Sequence, residues 1–484
     1  MHLSRRRPIS SAHFLSLMLA SGGDWRISVP HGGNTNIYGA SPFPRSTLGY
    51  ASSTANDISM DAFLHLQTMV AGWPAGGLID PAFYADALES LRHRIRAAWG
   101  LGGTTQIVFA PSGTDLEFAA LGLVASHSGQ PVMNILLGPD EVGSGCILAG
   151  AGRHFAQETA LCGQTPKGHH VSGLEDTGLA SVPVRDEAGQ PLSSTEVARA
   201  IDRIARQTRA SGRHVLVHVV HGSKTGLVLP SLEAIDALRA CHGGGVSFVV
   251  DACQARIDAP QIRAYLDRGC LVLLTGSKFM GGPPFSGMAL VPEEIRPARM
   301  LAQGLATLFR RAEWPMGWRS CDILPDGANP GLLLRLESAI FELERFLLLC
   351  EPARQRVIDA FAAASRMLAA RLGARLVTPA LSGPGLHLAT LATLDLSGMP
   401  ACPDFAVAQR WHRILAARGI RLGQPVKCVQ RADGAWAGTL RISLSMPLIA
   451  SLAELAAAQL EPRFSRDMVQ IAQVLEAAQR PVVA

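Results

Sequence analysis

Lysine is the charged residue this chain has least of. Of its 44 basic side chains only four are lysines, Lys167, Lys224, Lys278 and Lys427, and the other 40 are arginines. Arginine stays protonated in proteins, so chemistry that needs an amine to give up its proton has few candidates. Charge is sparse overall, with 17% Asp, Glu, Lys and Arg and a net charge of +5. The basic residues are scattered and not interleaved with aromatics, which make up 6% of the chain, so no nucleic-acid partner is expected. Nine cysteines occur singly without a C-x-x-C pair. Several lie in apolar strands, where reduced cysteine behaves as a small hydrophobe, and the reading is a reducing, cytoplasmic setting with no metal. No apolar run reaches the roughly 18–20 residues of a membrane span, so no membrane partner is expected. Arg5-Arg6-Arg7 and the apolar residues 13–20 imitate a signal peptide. The apolar part is short and reads as an N-terminal helix.

What the chain does have is 484 residues with 48% apolar content. That is enough to bury a large core in two domains with extensions. The organising stretch runs from Val246 to Val291. Strand Val246–Val250 ends in Asp251, strand Cys270–Thr275 ends in Gly276-Ser277-Lys278, and a Gly/Pro turn leads to a third strand, Gly287–Val291. Buried parallel strands read as continuous apolar runs, and open α/β sheets bind ligands at the carboxyl ends of their strands. Lys278 is the lysine on such a strand end.

Asp251-Ala252-Cys253-Gln254, followed by Ser277-Lys278 and then G-G-P-P-x-S-G, resembles the cofactor core of fold-type I pyridoxal-phosphate enzymes, nearest to the class V aminotransferase and cysteine desulfurase group. The resemblance implies that Asp251 pairs with the pyridinium nitrogen, that Gln254 lies by the ring hydroxyl and that Lys278 carries pyridoxal 5'-phosphate as an imine. A carboxylate beside the pyridine nitrogen keeps it protonated and makes the ring an electron sink. Thr275 and Ser277 are further phosphate ligands on this reading.

Upstream, strand Gln106–Ala110 runs into Pro111-Ser112-Gly113-Thr114 before an alanine-rich apolar helix. A glycine turn at a helix N-terminus offers free N–H groups and the positive dipole end to an anion, and Ser112 and Thr114 add hydroxyls. The same residues also serve as ordinary helix caps. Their place before the Ser277-Lys278 strand end matches the family's phosphate cup. The resemblance implies a ring-stacking aromatic or histidine in the loop Gly138–Gly145, but the loop holds Glu141-Val142-Gly143, which leaves His154 or Phe155 as distant candidates and counts against a desulfurase. Strand His214–Val220 ends in His221-Gly222-Ser223-Lys224-Thr225-Gly226, where His221 and Ser223 are candidates to reach the ring hydroxyl or substrate. His218 reads as a packed strand residue and Lys224 as a flanking charge. Arg441, in the strand around Leu440–Ser445, matches the family's carboxylate-binding arginine, and its planar fork suits that task. Cys428 lies 13 residues earlier, where some desulfurases carry a reactive cysteine, and adjacent Lys427 would lower its pKa. Arg45 and Tyr50 could touch substrate from the N-terminal segment.

The strands starting near Gln106, Val132, Ala180, His214, Val246, Cys270 and Gly287 number seven. That number suits the fold class the resemblance implies, α/β of fold type I: a large domain (101–310) with a mixed seven-stranded sheet and helices on both faces, and a smaller α+β C-terminal domain (311–484). Residues 1–100 form a segment packing on the active site. The resemblance implies a homodimer acting on a small amino substrate, most directly an aminotransferase. A lyase or desulfurase, or a C–C bond-forming enzyme, would use the same cofactor chemistry. A non-catalytic partner protein that keeps the fold is a third reading, and such proteins usually lose the lysine.

Overall fold

Seven apolar segments of the chain pair edge to edge. In chain order they are β1 (Gln106–Ala110), β2 (Val132–Leu137), β3 (Gly178–Val182), β4 (His214–His221), β5 (Val246–Asp251), β6 (Cys270–Thr275) and β7 (Gly287–Val291). They lie in the spatial order β1-β7-β6-β5-β4-β2-β3. The strands from β6 to β3 are mutually parallel, and β7 runs antiparallel to both β6 and β1. The two-residue strand Val228–Leu229 folds back on β4 and adds an eighth member to the expected seven. The structure is a computed structural model; it describes residues 11–479 apart from 52, 75–78, 140, 144 and 378–385. Thr378, the end of one strand expected from the sequence, lies outside the described residues.

The parallel strands are buried on both faces, which is why they read as unbroken apolar runs. One face is covered by helix α1 (Asp115–Ser128), in which eleven of fourteen residues are buried. A helix apolar all round must be sandwiched. Its second layer is the irregular segment carrying Leu305, Phe309 and Trp314, which joins it in one core with Val249 and Leu271 of the sheet. The other face packs against Ser194–Ala210, Leu232–His242 and α3 (Ala259–Leu266), through Ile201, Ile235 and Ile262. Between β2 and β3 a single-turn helix, α2 (Cys146–Gly150), caps the polar end of the sheet beside α1.

Beyond β7 the chain forms two long helices, α4 (Pro330–Leu348) and α5 (Glu351–Leu372). They lead to a three-stranded antiparallel sheet of Arg375–Leu376, Leu391–Asp395 and Thr439–Ser443, with helices Phe405–Ala417, Met446–Ala453 and Ala457–Ala478. The N-terminal segment does not stand apart. Helix Ser11–Leu19 packs on α4, and strand Leu48–Tyr50 pairs in parallel with Ile420–Leu422 of the C-terminal region. Arg335 of α4 ties these parts together from a fully buried position. Its guanidinium donates to the carbonyls of Leu19 (3.2 Å), Ser21, Gly22 (2.9 Å) and Phe285 (2.8 Å). Among the described residues no helix is long and apolar enough to cross a membrane.

Candidate active site

Parallel strands bring their carboxyl ends to one pole, and three consecutive strands deliver polar residues there. β5 ends in Asp251, whose Oδ1 accepts the Cys253 N–H at 3.0 Å and so closes the turn out of the strand. β6 ends at Thr275, whose hydroxyl donates to the Cys253 carbonyl at 2.7 Å and braces the two strand ends against each other. Three residues on stands Lys278, partly exposed. The charges of Asp251 and Lys278 both act on the thiols of Cys146 and Cys253, which burial above all pushes up. The carboxyl, the amine and the two thiols therefore lie within electrostatic reach of one another. Asn56, a residue the sequence did not single out, reaches in from the N-terminal loop and donates to the Lys278 carbonyl at 3.1 Å and to that of Ser277 at 3.4 Å.

The turn Ser112-Gly113-Thr114 lies against Thr275 and Cys253 of this group. A Cβ on Gly113 would come 2.7 Å from Thr275 Cγ2 and 3.6 Å from Cys253 Sγ, so only glycine lets the turn lie against the strand ends. Gly287 of β7 makes room on the other side, since its Cβ would meet the Ser112 carbonyl at 2.7 Å. Thr114 precedes α1 and makes no side-chain cap, which leaves its hydroxyl for an anion at the positive end of the helix, while the Asp115 N–H is held by Ser112 Oγ at 3.2 Å. Ser112 behaves differently: its hydroxyl donates to Asp115 Oδ2 at 2.5 Å. Ser277 is buried beside the lysine.

Behind Asp251, one turn into α1, Glu117 faces His218 of β4 at 3.2 Å. Both are almost wholly buried, and burial drives each toward its neutral form, Glu117 upward and His218 down to about 4. The packed strand histidine expected from the sequence thus has a polar partner, on the sheet face that carries Asp251.

A third group of residues lies across the pole. Glu141, from the loop after β2, accepts from the hydroxyls of Ser223 (2.8 Å) and Thr225 (2.9 Å) and from Arg185 Nε (2.8 Å). Arg441, on the strand Thr439–Ser443, donates from Nε to the Gln424 carbonyl (3.0 Å) and from Nη1 to the Lys224 carbonyl (3.1 Å). Burial lowers it to about 10, partly offset by Glu141. Two of its five N–H donors are used, which holds the fork in place and leaves three. Lys224 proves to be more than a flanking charge: burial, then Arg441 and Lys278, lower its pKa, so its ammonium belongs to this pole.

The other expected residues divide clearly. Gln254 is buried at the turn after Asp251 and accepts from Arg256 Nη1 at 3.1 Å, which leaves its amide N–H groups for a ligand. His221 turns away: its Nδ1 meets Tyr265 of α3 at 3.1 Å, and burial lowers it to about 4. It lines, with Thr225, Leu227 and Cys428, a separate cavity of about 950 Å³. Ser223 is committed to Glu141. Arg45 is paired with Asp57 at 2.6 Å, and Tyr50 is buried with its hydroxyl on Asp467 at 2.7 Å, so both are structural. Phe155 stacks on Phe118 of α1. Cys428 is 1% exposed and burial raises its thiol to about 12. Lys427, expected to lower it, lies instead over the Phe405 ring.

No protein-family model matches this sequence and no curated protein is significantly similar to it. Solved structures are similar. A NifS-like protein superposes with a TM-score of 0.56 at 14% identity, covering 89% of this chain and all of the other. A cysteine desulfurase from Thermococcus onnurineus NA1 gives 0.55 at 16% identity, over 88% of this chain and 95% of that one. A serine palmitoyltransferase from S. paucimobilis, solved with a bound PLP-myriocin aldimine, gives 0.50 at 14% identity over 89% and 87%. The chain therefore has the fold-type I architecture that these enzymes share.

Proposed function

We propose that this chain is a pyridoxal 5'-phosphate enzyme acting on an amino acid or related amine, and that its reaction is transamination. The observation that carries the reading is the convergence of Lys278, Asp251 and the glycine cup at the start of α1 on one pole of a fold-type I sheet. The residues fit the cofactor. The cup against Thr275 and Cys253 has room for backbone atoms alone, Thr114 offers an uncommitted hydroxyl, and Gln254 keeps free amide donors. Bound there, the cofactor supplies an electron sink for charge developing at the substrate α-carbon.

Each side chain has a task on this reading. Lys278 is the attachment point and the base that moves a proton at the substrate α-carbon, a role its partly exposed amine can fill once released. Asp251 is the counter-charge to a ring nitrogen, and the Asn56 contacts fix the backbone on which Lys278 pivots. Thr114 and Ser277 would hold the phosphate. Arg441 binds the substrate carboxylate through its remaining donors, so that its two carbonyl contacts act as a brace. Replacing Arg441 by Lys keeps the charge and loses the fork; KM for an amino acid should rise by about 10–100-fold while cofactor content stays the same.

Elimination or desulfuration through Cys428 has no support in its surroundings, because the reactive species would be a thiolate and the buried thiol stays protonated. Titrating the cofactor-loaded protein with a panel of amino acids, followed by a panel of keto acids, tests the reaction. Transamination predicts that a donor bleaches the visible band and that a keto acid restores it. Release of pyruvate, sulfide or carbon dioxide without amino transfer would instead support a lyase. A dimer is the assembly proposed for the active protein.

A further inference from the structure

The start of α1 carries a carboxyl group at the place where an anion is to bind. Asp115 follows Thr114 directly and is 7% exposed. Its Oδ2 accepts the Ser112 hydroxyl at 2.5 Å, and its own N–H donates to Ser112 Oγ at 3.2 Å. The N-terminal segment closes over this corner. Arg26 lies 4.8 Å from the centroid of Phe155 and 4.9 Å from that of Phe285, and grips Asp24 with two hydrogen bonds of 2.8 and 2.5 Å. Asp24 therefore matches the arginine's charge already. Glu313 acts on Asp115 from the segment beyond β7, and is itself held by the Tyr84 hydroxyl and the Arg310 N–H. Burial, reinforced by Asp24 and opposed by the Ser112 hydrogen bond and Arg26, brings the Asp115 carboxyl up to about 7.

An ionised Asp115, itself buried, beside a phosphate dianion would set like charges against each other with little screening by water. Resting on the pyridoxal-phosphate reading, we propose that Asp115 takes up one proton from solvent as the phosphate enters the cup, and that this reverses its hydrogen bond with Ser112. A carboxylate can only accept, so the Ser112 proton is spent on it. The protonated carboxyl donates to Ser112 Oγ, and the Ser112 O–H is released to the phosphate. No other bond changes. Asp115 is thus the residue that couples loading of a phosphorylated cofactor to pH, and Ser112 becomes a phosphate ligand only when Asp115 is neutral.

The test compares two ligands of the full-length protein, pyridoxal phosphate and pyridoxal, which share the ring and the imine with Lys278 and differ in the phosphate. Their Kd values are measured spectrophotometrically between pH 7.5 and 9, where the free phosphate, with its second pKa near 6, is already a dianion. In wild type the ratio of the two Kd values should rise about tenfold per pH unit, the signature of one proton taken up. In Asp115→Asn it should be flat. Ser112→Ala, which leaves the carboxyl in place, should weaken pyridoxal phosphate about fivefold at pH 7.5, the worth of one hydrogen bond, and leave pyridoxal unchanged. A flat ratio in wild type, a slope that survives in Asp115→Asn, or an unaltered Ser112→Ala would each overturn the proposal. If wild type binds neither compound, it is the cofactor reading itself that fails.

Discussion

Lys278 could be singled out early because the chain has so few amines to choose from, and because a lysine at the end of an apolar run is a local pattern. Asp251 and the Ser112–Thr114 turn were readable for the same reason, each lying directly after its strand. The residues that complete the site were not readable. Asn56 is 222 positions from the lysine whose carbonyl it binds. Glu117 looks like one more position in an apolar helix, and only the fold puts His218 in front of it. Lys224 passed for a flanking charge because Arg441, which binds its carbonyl and, after burial, lowers its pKa, lies 217 residues away. Ser112 was expected at a phosphate cup, and its hydroxyl is committed to Asp115. At this scale the charge on Asp251 is the sharpest test. Asp251→Asn keeps the shape and removes the counter-charge, and kcat/KM should fall by about two to three orders of magnitude with the cofactor still bound. Steady-state kinetics beside the absorption spectrum would show it, and unchanged kinetics would contradict the role.

At the scale of elements, helices and strands of the large domain fell close to their expected bounds, since continuous apolar runs and capped amphipathic helices are local signals. The expected strand Ala180–Val184 sits two residues earlier, at Gly178–Val182, because its edge position leaves a half-exposed pattern with weak ends. The N-terminal hundred residues were hardest to read, since their order comes from remote partners. Arg335 is the chief of these. Exchanging it for Met leaves several buried carbonyls without a donor and should cost about 3 kcal/mol in a urea melt, with faster proteolysis ahead of residue 30. Glu313 supplies a pH signature. It is fully buried between Tyr84 and the Arg310 N–H, and burial raises it from 4.5 to about 7. The folded state thus holds a proton that the unfolded state releases above pH 4.5. The stability it contributes is complete below that pH and is lost as pH rises through 7. Cofactor-free protein should lose roughly 3 kcal/mol between pH 5 and pH 8 through this group, a loss that Glu313→Gln would abolish.

Over the whole molecule, the sheet order explains why the candidate site residues gather at one pole. Parallel strands send all their carboxyl ends the same way, and the C-terminal domain brings Arg441 over that end from a separate sheet. Sequence periodicity establishes strands and helices but not their order across the sheet, and the match of motifs to fold-type I enzymes supplied in advance only that the sheet would be mixed and seven-stranded. Sedimentation of the purified protein should give twice the 51.3 kDa chain mass if the active form is the proposed dimer. The most direct measurement of the central claim is borohydride reduction of the protein loaded with pyridoxal phosphate, followed by peptide mass mapping beside a Lys278→Ala control. The account predicts a single phosphopyridoxyl adduct on Lys278 that is missing from the variant. An adduct on Lys224 or elsewhere, or no adduct in wild type, would contradict it.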